Sequence, residues 1–157
     1  MVAIPGTPEA LDIELKNATS GAESILLAEP DDLAVELFEP FKLSEGVISL
    51  PSDSDMATAE YGISDAFAAV AETGSVCVSL SSGLGGSVSL FARKHIAVVD
   101  VNTIVARPRD LLEHEGLRYK TLQRNFVLIS GPSATADMGP LVRGVHGPGK
   151  LHVIILK

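Results

Sequence analysis

The chain has 157 residues, 46% of them hydrophobic, enough to bury the core of one ordinary domain and too apolar for a largely disordered polymer. No apolar run reaches the roughly 18 residues of a membrane-spanning helix, and Met1-Val2-Ala3-Ile4-Pro5-Gly6-Thr7-Pro8 carries neither a basic nor a continuous apolar export segment, so a cytoplasmic location is expected. A formal charge of −8 and only 4% aromatic residues argue against nucleic acid, with Arg107-Pro108-Arg109 and Arg118-Tyr119-Lys120 read as solvated faces of a connecting helix.

Residues 1–22 mix Pro5, Pro8, Asn17, Ser20 and Gly21 with few large apolar side chains. They are expected to form a mobile arm with a short helix near 10–16, leaving 23–157 as the folded domain. Residues 24–28 read as a short buried strand ending at Pro30. Asp31 or Asp32 then caps a helix whose Leu33, Leu37, Phe38 and Phe41 recur at helical spacing and which Pro40 ends. Residues 47–50 read as a second strand, and the polar turn at 52–55 leads into an alanine-rich helix reaching Glu60. Residues 75–80 alternate and are rich in branched side chains, which predicts a strand with Cys77 as an inert core thiol. As the single cysteine, Cys77 can form no intrachain disulfide and cannot supply a four-cysteine iron–sulfur ligand set. A flexible turn at 81–86 precedes a strand at 95–99, with a short extension at 103–105. Pro108 opens a helix carrying Leu111, Leu112, Tyr119 and Leu122, weakened at Gly116. Strands at 125–129 and 151–156 complete the series. The alternation predicts an α/β fold, a mainly parallel sheet with helices on each side.

Three segments can carry chemistry. Ala71-Glu72-Thr73-Gly74-Ser75 places a carboxylate beside a glycine; Glu72 is either a general base, nucleophile or acceptor for a ligand hydroxyl, or a turn glutamate facing water. Ser130-Gly131-Pro132-Ser133-Ala134-Thr135-Ala136-Asp137 follows a strand with small and hydroxyl residues. It is either an anion loop of outward N–H and hydroxyl donors, as found at the carboxyl ends of strands in open sheets, or a helix cap by Ser133 or Thr135. Gly144-Val145-His146-Gly147-Pro148 holds a histidine between glycines, either an acid/base group and carboxylate donor or a tight turn into the last strand. His95 and His152 read as packed or edge histidines. No His-Glu-x-x-His or similar spacing is present, so no metal site is expected. Ser81 and Ser82 lack the Gly-x-Ser-x-Gly elbow of serine hydrolases.

In this order, the segments at 71–75, 95–99 (His95-Ile96-Ala97-Val98-Val99), 130–137 and 144–148 with Leu151-His152-Val153 resemble the LUD domain, the domain of lactate utilization protein C and its relatives. The resemblance runs from about residue 47 to the C-terminus. It implies a three-layer Rossmann-like sandwich similar to the sugar-phosphate isomerase and CoA-transferase group. It implies an accessory or ligand-binding role in a three-part bacterial system that oxidises L-lactate to pyruvate, with iron–sulfur clusters on partner proteins and no cofactor in this chain. The alternative it leaves is a stand-alone enzyme for a sugar phosphate or an acyl-CoA-type substrate. On this reading Glu72 and His146 handle protons, while Thr73, Gly74, Ser130, Gly131, Ser133, Thr135, Asp137 and Gly147 bind a small anion in one shared crevice. The family commonly has arginine where Ala134 stands, an acidic residue where Gly139 stands, and Gly-Pro-Gly where Gly83-Leu84-Gly85 stands.

Overall fold

The computed structural model describes residues 1–80, 84–123, 125–136 and 140–157, and their side chains except at positions 115, 116, 122 and 123. Its centre is a six-stranded, entirely parallel sheet. The strands are β1 (Val2–Ile4), β2 (Ile25–Leu27), β3 (Val47–Ile48), β4 (Tyr61–Ala66), β7 (Lys94–Asp100) and β12 (Lys150–Leu156), in the order β1-β12-β7-β4-β2-β3. One face is covered by α1 (Pro8–Ala18) and α2 (Glu39–Lys42). Thr7 caps α1 by accepting from the Ala10 N–H, Pro8 occupies the first turn, and Leu11 and Leu15 fall one turn apart on the buried side. Both leucines are fully buried against Ile63, Ile96, Val98 and Ile154. Each buried leucine contributes roughly 1.5–3 kcal/mol relative to exposure.

That packing corrects the mobile arm expected at 1–22. Residues 2–4 are a sheet strand in register with Ile154, Ile155 and Leu156, and 8–18 are a core helix. Val2, Ile4, Leu11, Leu15, Ala18 and Ala22 join the core, while Met1 and Ile13 stay exposed. Pro40 likewise does not end a helix: it sits in the first turn of α2, after a single 3-10 turn at Val35–Leu37, where a missing N–H costs nothing.

The opposite face is shared. Toward β2 and β3 it is covered by α3 (Asp53–Thr58) and α4 (Gly85–Phe91), through Ala59, Val88 and Ala92. Ser52 and Asp55 form a reciprocal capping box that starts α3. Toward β7 and β12 the face is covered by a second sheet of β5 (Ala68–Val70), β6 (Ser75–Ser79), β8 (Ile104–Val105) and β9 (Phe126–Ser130), in the order β8-β5-β6-β9. β6 is antiparallel to both β5 and β9. Val76, Val78, Val127 and Ile129 pack on Ala97, Val99 and Val153. The outer face of this sheet rests on α5 (Asp110–Glu113) and α6 (Glu115–Gln123), with Phe67 edge-on to Phe126 at 5.3 Å between ring centroids.

The α/β sandwich on a mainly parallel sheet is therefore observed, and one of its outer layers contains strands as well as helices. The helix expected from Pro108 is two short helices broken at His114, whose backbone is extended. Residues 85 and 86, expected in a turn, begin α4; the turn residues 81–83 lie outside the described residues. A strand not expected at all, β4, passes into β5 with only Phe67 between them, so one ribbon serves both sheets.

Candidate functional site

The site region forms where β9 leaves the second sheet. Beyond Ser130 the chain makes a small hairpin of β10 (Ala134–Thr135) and β11 (Val142–Arg143), paired Ala134 to Arg143 and Thr135 to Val142. This excludes the helix-cap reading of Ser133 and Thr135. Because β9 is an edge strand of the mixed sheet, its loop does not lie at the carboxyl ends of the parallel strands. It runs instead to the amino ends of β7 and β12: the Ser133 N–H donates to the Pro148 carbonyl (2.8 Å), and the Gly149 N–H donates to the Arg93 carbonyl (2.9 Å).

Ser133 ties the two loops together. Its carbonyl accepts from the Gly144 N–H at 2.9 Å, and its Oγ accepts from the His146 N–H at 3.2 Å. Gly147 has φ +146°, so a side chain there would be strained by the backbone, although a Cβ would meet the Ser133 Cβ only at van der Waals distance, 3.5 Å. These loops and the exposed face of β9 and α4 enclose a crevice of about 530 Å³. Ser130, Gly131, Ser133, His146 and Gly147 line it, with Leu90 and Leu128 as apolar wall. His146 is exposed, so its imidazole is available to solvent and solutes.

The other sequence-selected residues lie elsewhere. Glu72 is exposed in the turn between β5 and β6, held through its N–H to the Ala106 carbonyl at 3.0 Å. Glu72, Thr73, Gly74 and Thr135 do not line the crevice, and Asp137 lies outside the described residues. Thr73 reaches it indirectly. Its Oγ1 is 2.6 Å from Ser75 Oγ, which is 2.6 Å from Ser130 Oγ. Ser75, absent from the sequence-based selection, is the buried middle of this row of hydroxyls. Its signal lay in the pairing of β6 with β9, which sets Ser75 opposite Ser130 and cannot be read from either strand alone.

Two buried groups have environments that remove them from chemistry. Burial pushes the Cys77 thiol up to about 12, which keeps it protonated and inert. His95 is sealed beneath α4 with Nε2 3.0 Å from Ser64 Oγ, and burial pulls its pKa down to about 4. The carboxyl end of β4 is acidic. Asp65 is buried there and accepts the Asp32 and Leu33 N–H groups at 2.7 and 3.0 Å, while Lys120 pairs with Asp32 at 2.6 Å. Burial outweighs these bonds and raises the Asp65 pKa.

A family model described as the LUD domain matches residues 52–156, which span α3 to β12 and include both loops of the crevice. The chain belongs to the LUD domain family. The chain is 40% identical over 103 residues to lactate utilization protein C of Shouchella clausii (strain KSM-K16), covering 62% of this chain and 44% of that protein. Lactate utilization protein C of Bacillus velezensis (strain DSM 23117 / BGSC 10A6 / LMG 26770 / FZB42) is 28% identical over 155 residues, covering 96% of this chain and 63% of the relative. The chain thus spans less than half the length of the first of these relatives. A crystal structure of a DUF162 family protein from Deinococcus radiodurans superposes on all of this chain and 87% of its own, with a TM-score of 0.69 and 19% identity, which establishes a shared fold. No helix among the described residues is long and apolar enough to cross a membrane.

Proposed function

We propose that this LUD domain is a cytoplasmic, ligand-binding component of a bacterial L-lactate utilization system, acting beside iron–sulfur proteins that carry the electrons. The observation that supports it is the crevice closed by the Ser133–His146 junction. Ser130, Ser133 and the exposed His146 line a space with an apolar wall, the combination that suits a small hydroxy acid: polar groups for its carboxylate and hydroxyl, carbon for its methyl group. Binding fits this arrangement better than catalysis by this chain alone, because Glu72, the proton-handling carboxylate expected beside His146, does not line the crevice. That relatives are named lactate utilization protein C supports lactate as the acid to test.

The test is titration calorimetry with L-lactate and pyruvate on the wild type and on His146→Ala. Loss of one charge-assisted hydrogen bond costs roughly 1.5–3 kcal/mol, so affinity should fall at least about tenfold. The companion measurement is growth on L-lactate after gene disruption. Saturable binding weakened in His146→Ala, together with lost growth, supports the proposal; unchanged growth in a strain without a second copy refutes it.

A further inference from the structure

A second concavity lies at the amino ends of β4, β7 and β12, on the α1 side of the parallel sheet and separated from the crevice by Pro132, which lines both. It encloses about 540 Å³. In a chain carrying 20 acidic against 12 basic residues, its charged lining is inverted: Lys94, Arg143 and Lys150 face one carboxylate, Glu14. Glu14 is already approached by His152, whose Nε2 stands 3.5 Å from its Oε1, an ion-pair distance without hydrogen-bond geometry. Among the described residues none of the three cations pairs with a carboxylate.

The register makes this arrangement costly without an anion. Lys94 and Lys150 are direct partners in the parallel pair β7–β12, so two like charges stand side by side on one face of the sheet. Like charges in directly opposed positions destabilise a sheet pair. Lys94 is drawn aside by its in-register neighbour on the other flank: its Nζ donates to the Tyr61 hydroxyl at 2.8 Å and sits 4.2 Å from the centre of that ring. Among the described residues Lys150 and Arg143 have no such partner, and both are exposed. The geometry points to a second ligand site here, for a small organic phosphate. Two ammonium groups and a guanidinium supply the point charges and the planar fork that a phosphate dianion accepts. Ala18, Ile96 and the Tyr61 ring give an apolar wall for the organic part, and the volume lies within the range of small-molecule sites. This inference does not rest on the lactate reading, because the charged side chains invoked here are not those of the crevice.

The test is calorimetric titration of the intact protein with phenyl phosphate, inorganic phosphate and succinate, on the wild type, Lys150→Gln and Arg143→Gln, with thermal melting to confirm that each variant is folded. Both positions are exposed, so folding should survive. The expected result is saturable phenyl phosphate binding, stronger than that of inorganic phosphate or succinate, weakened about tenfold or more in each variant and by added salt. Repeated in saturating L-lactate, the phosphate isotherm should be unchanged. No saturable binding, or equal binding in the variants, overturns the site. Preference for succinate overturns the phosphate assignment, and competition by L-lactate overturns its separation from the crevice.

Discussion

His95 is 1% exposed, and protonating it would place a charge in the interior beside Ser64. Burial lowers its pKa from 6.5 to about 4 in the folded state. The unfolded chain therefore binds a proton that the native state refuses as pH falls from about 6.5 to about 4, and stability falls with it, by roughly 3 kcal/mol. Asp65 works in the other direction. Its raised pKa means that the native state takes up a proton before the unfolded chain does, so stability recovers as pH falls through its folded pKa toward 3.8. Urea unfolding at a series of pH values should thus show a loss below pH 6.5 in the wild type that is largely absent in His95→Gln. A ring-nitrogen titration by NMR should place His95 well below ordinary histidines. An unchanged pH slope in the variant would remove this account. Cys77 was legible as an inert thiol from its place between two valines, and His95 as a packed histidine; the size of its shift was not, because it depends on α4 closing over it.

Contact between α4 and β4 is the tightest helix–sheet approach in the described structure for which a glycine is the reason. A Cβ on Gly62 would lie 2.5 Å from the Val88 carbonyl oxygen and 2.8 Å from the Ala92 Cβ, and the first of these is backbone that cannot rotate away. Gly62→Ala should push α4 off the sheet and cost about 1–3 kcal/mol, seen as a lower urea midpoint with an unchanged m-value. A wild-type midpoint would mean that α4 shifts freely. The same glycine explains why β4 was invisible in the sequence. Tyr61-Gly62-Ile63-Ser64-Asp65-Ala66 has neither alternation nor a branched run, since its small and polar positions are dictated by α4 and by the 31–33 loop that Asp65 holds. Strands with ordinary β composition, at 75–79, 94–100 and 150–156, were legible to within a residue or two. That 75–79 and 126–130 form a separate mixed sheet was not, because alternation records burial and not the direction of a neighbour. The crevice loops were found by composition, and the link from Thr73 through Ser75 to Ser130 follows from that same missed pairing.

At the scale of the molecule, α1 and β1 are as much part of the core as the family-matched region that begins at residue 52. Deleting residues 1–18 removes Leu11 and Leu15 from the largest apolar cluster and uncovers Ile96, Val98 and Ile154 beneath them. At roughly 1.5–3 kcal/mol for each leucine, the loss is a large share of a typical domain's 5–15 kcal/mol. The truncated chain should bind a hydrophobic dye and lose its cooperative melt; a sharp transition near the full-length one would contradict the packing described. A different consequence follows from the position of β12, which lies between β1 and β7 although it is made after both. Parallel strands stand about 4.8 Å apart, so its two neighbours face each other across a slot one strand wide until residues 150–156 have emerged from the ribosome. During that interval both rims of the slot carry unpaired backbone groups able to take up any extended peptide of the wrong origin. β12 is therefore the keystone of the sheet, and until it is made the nascent sheet stands open at its centre.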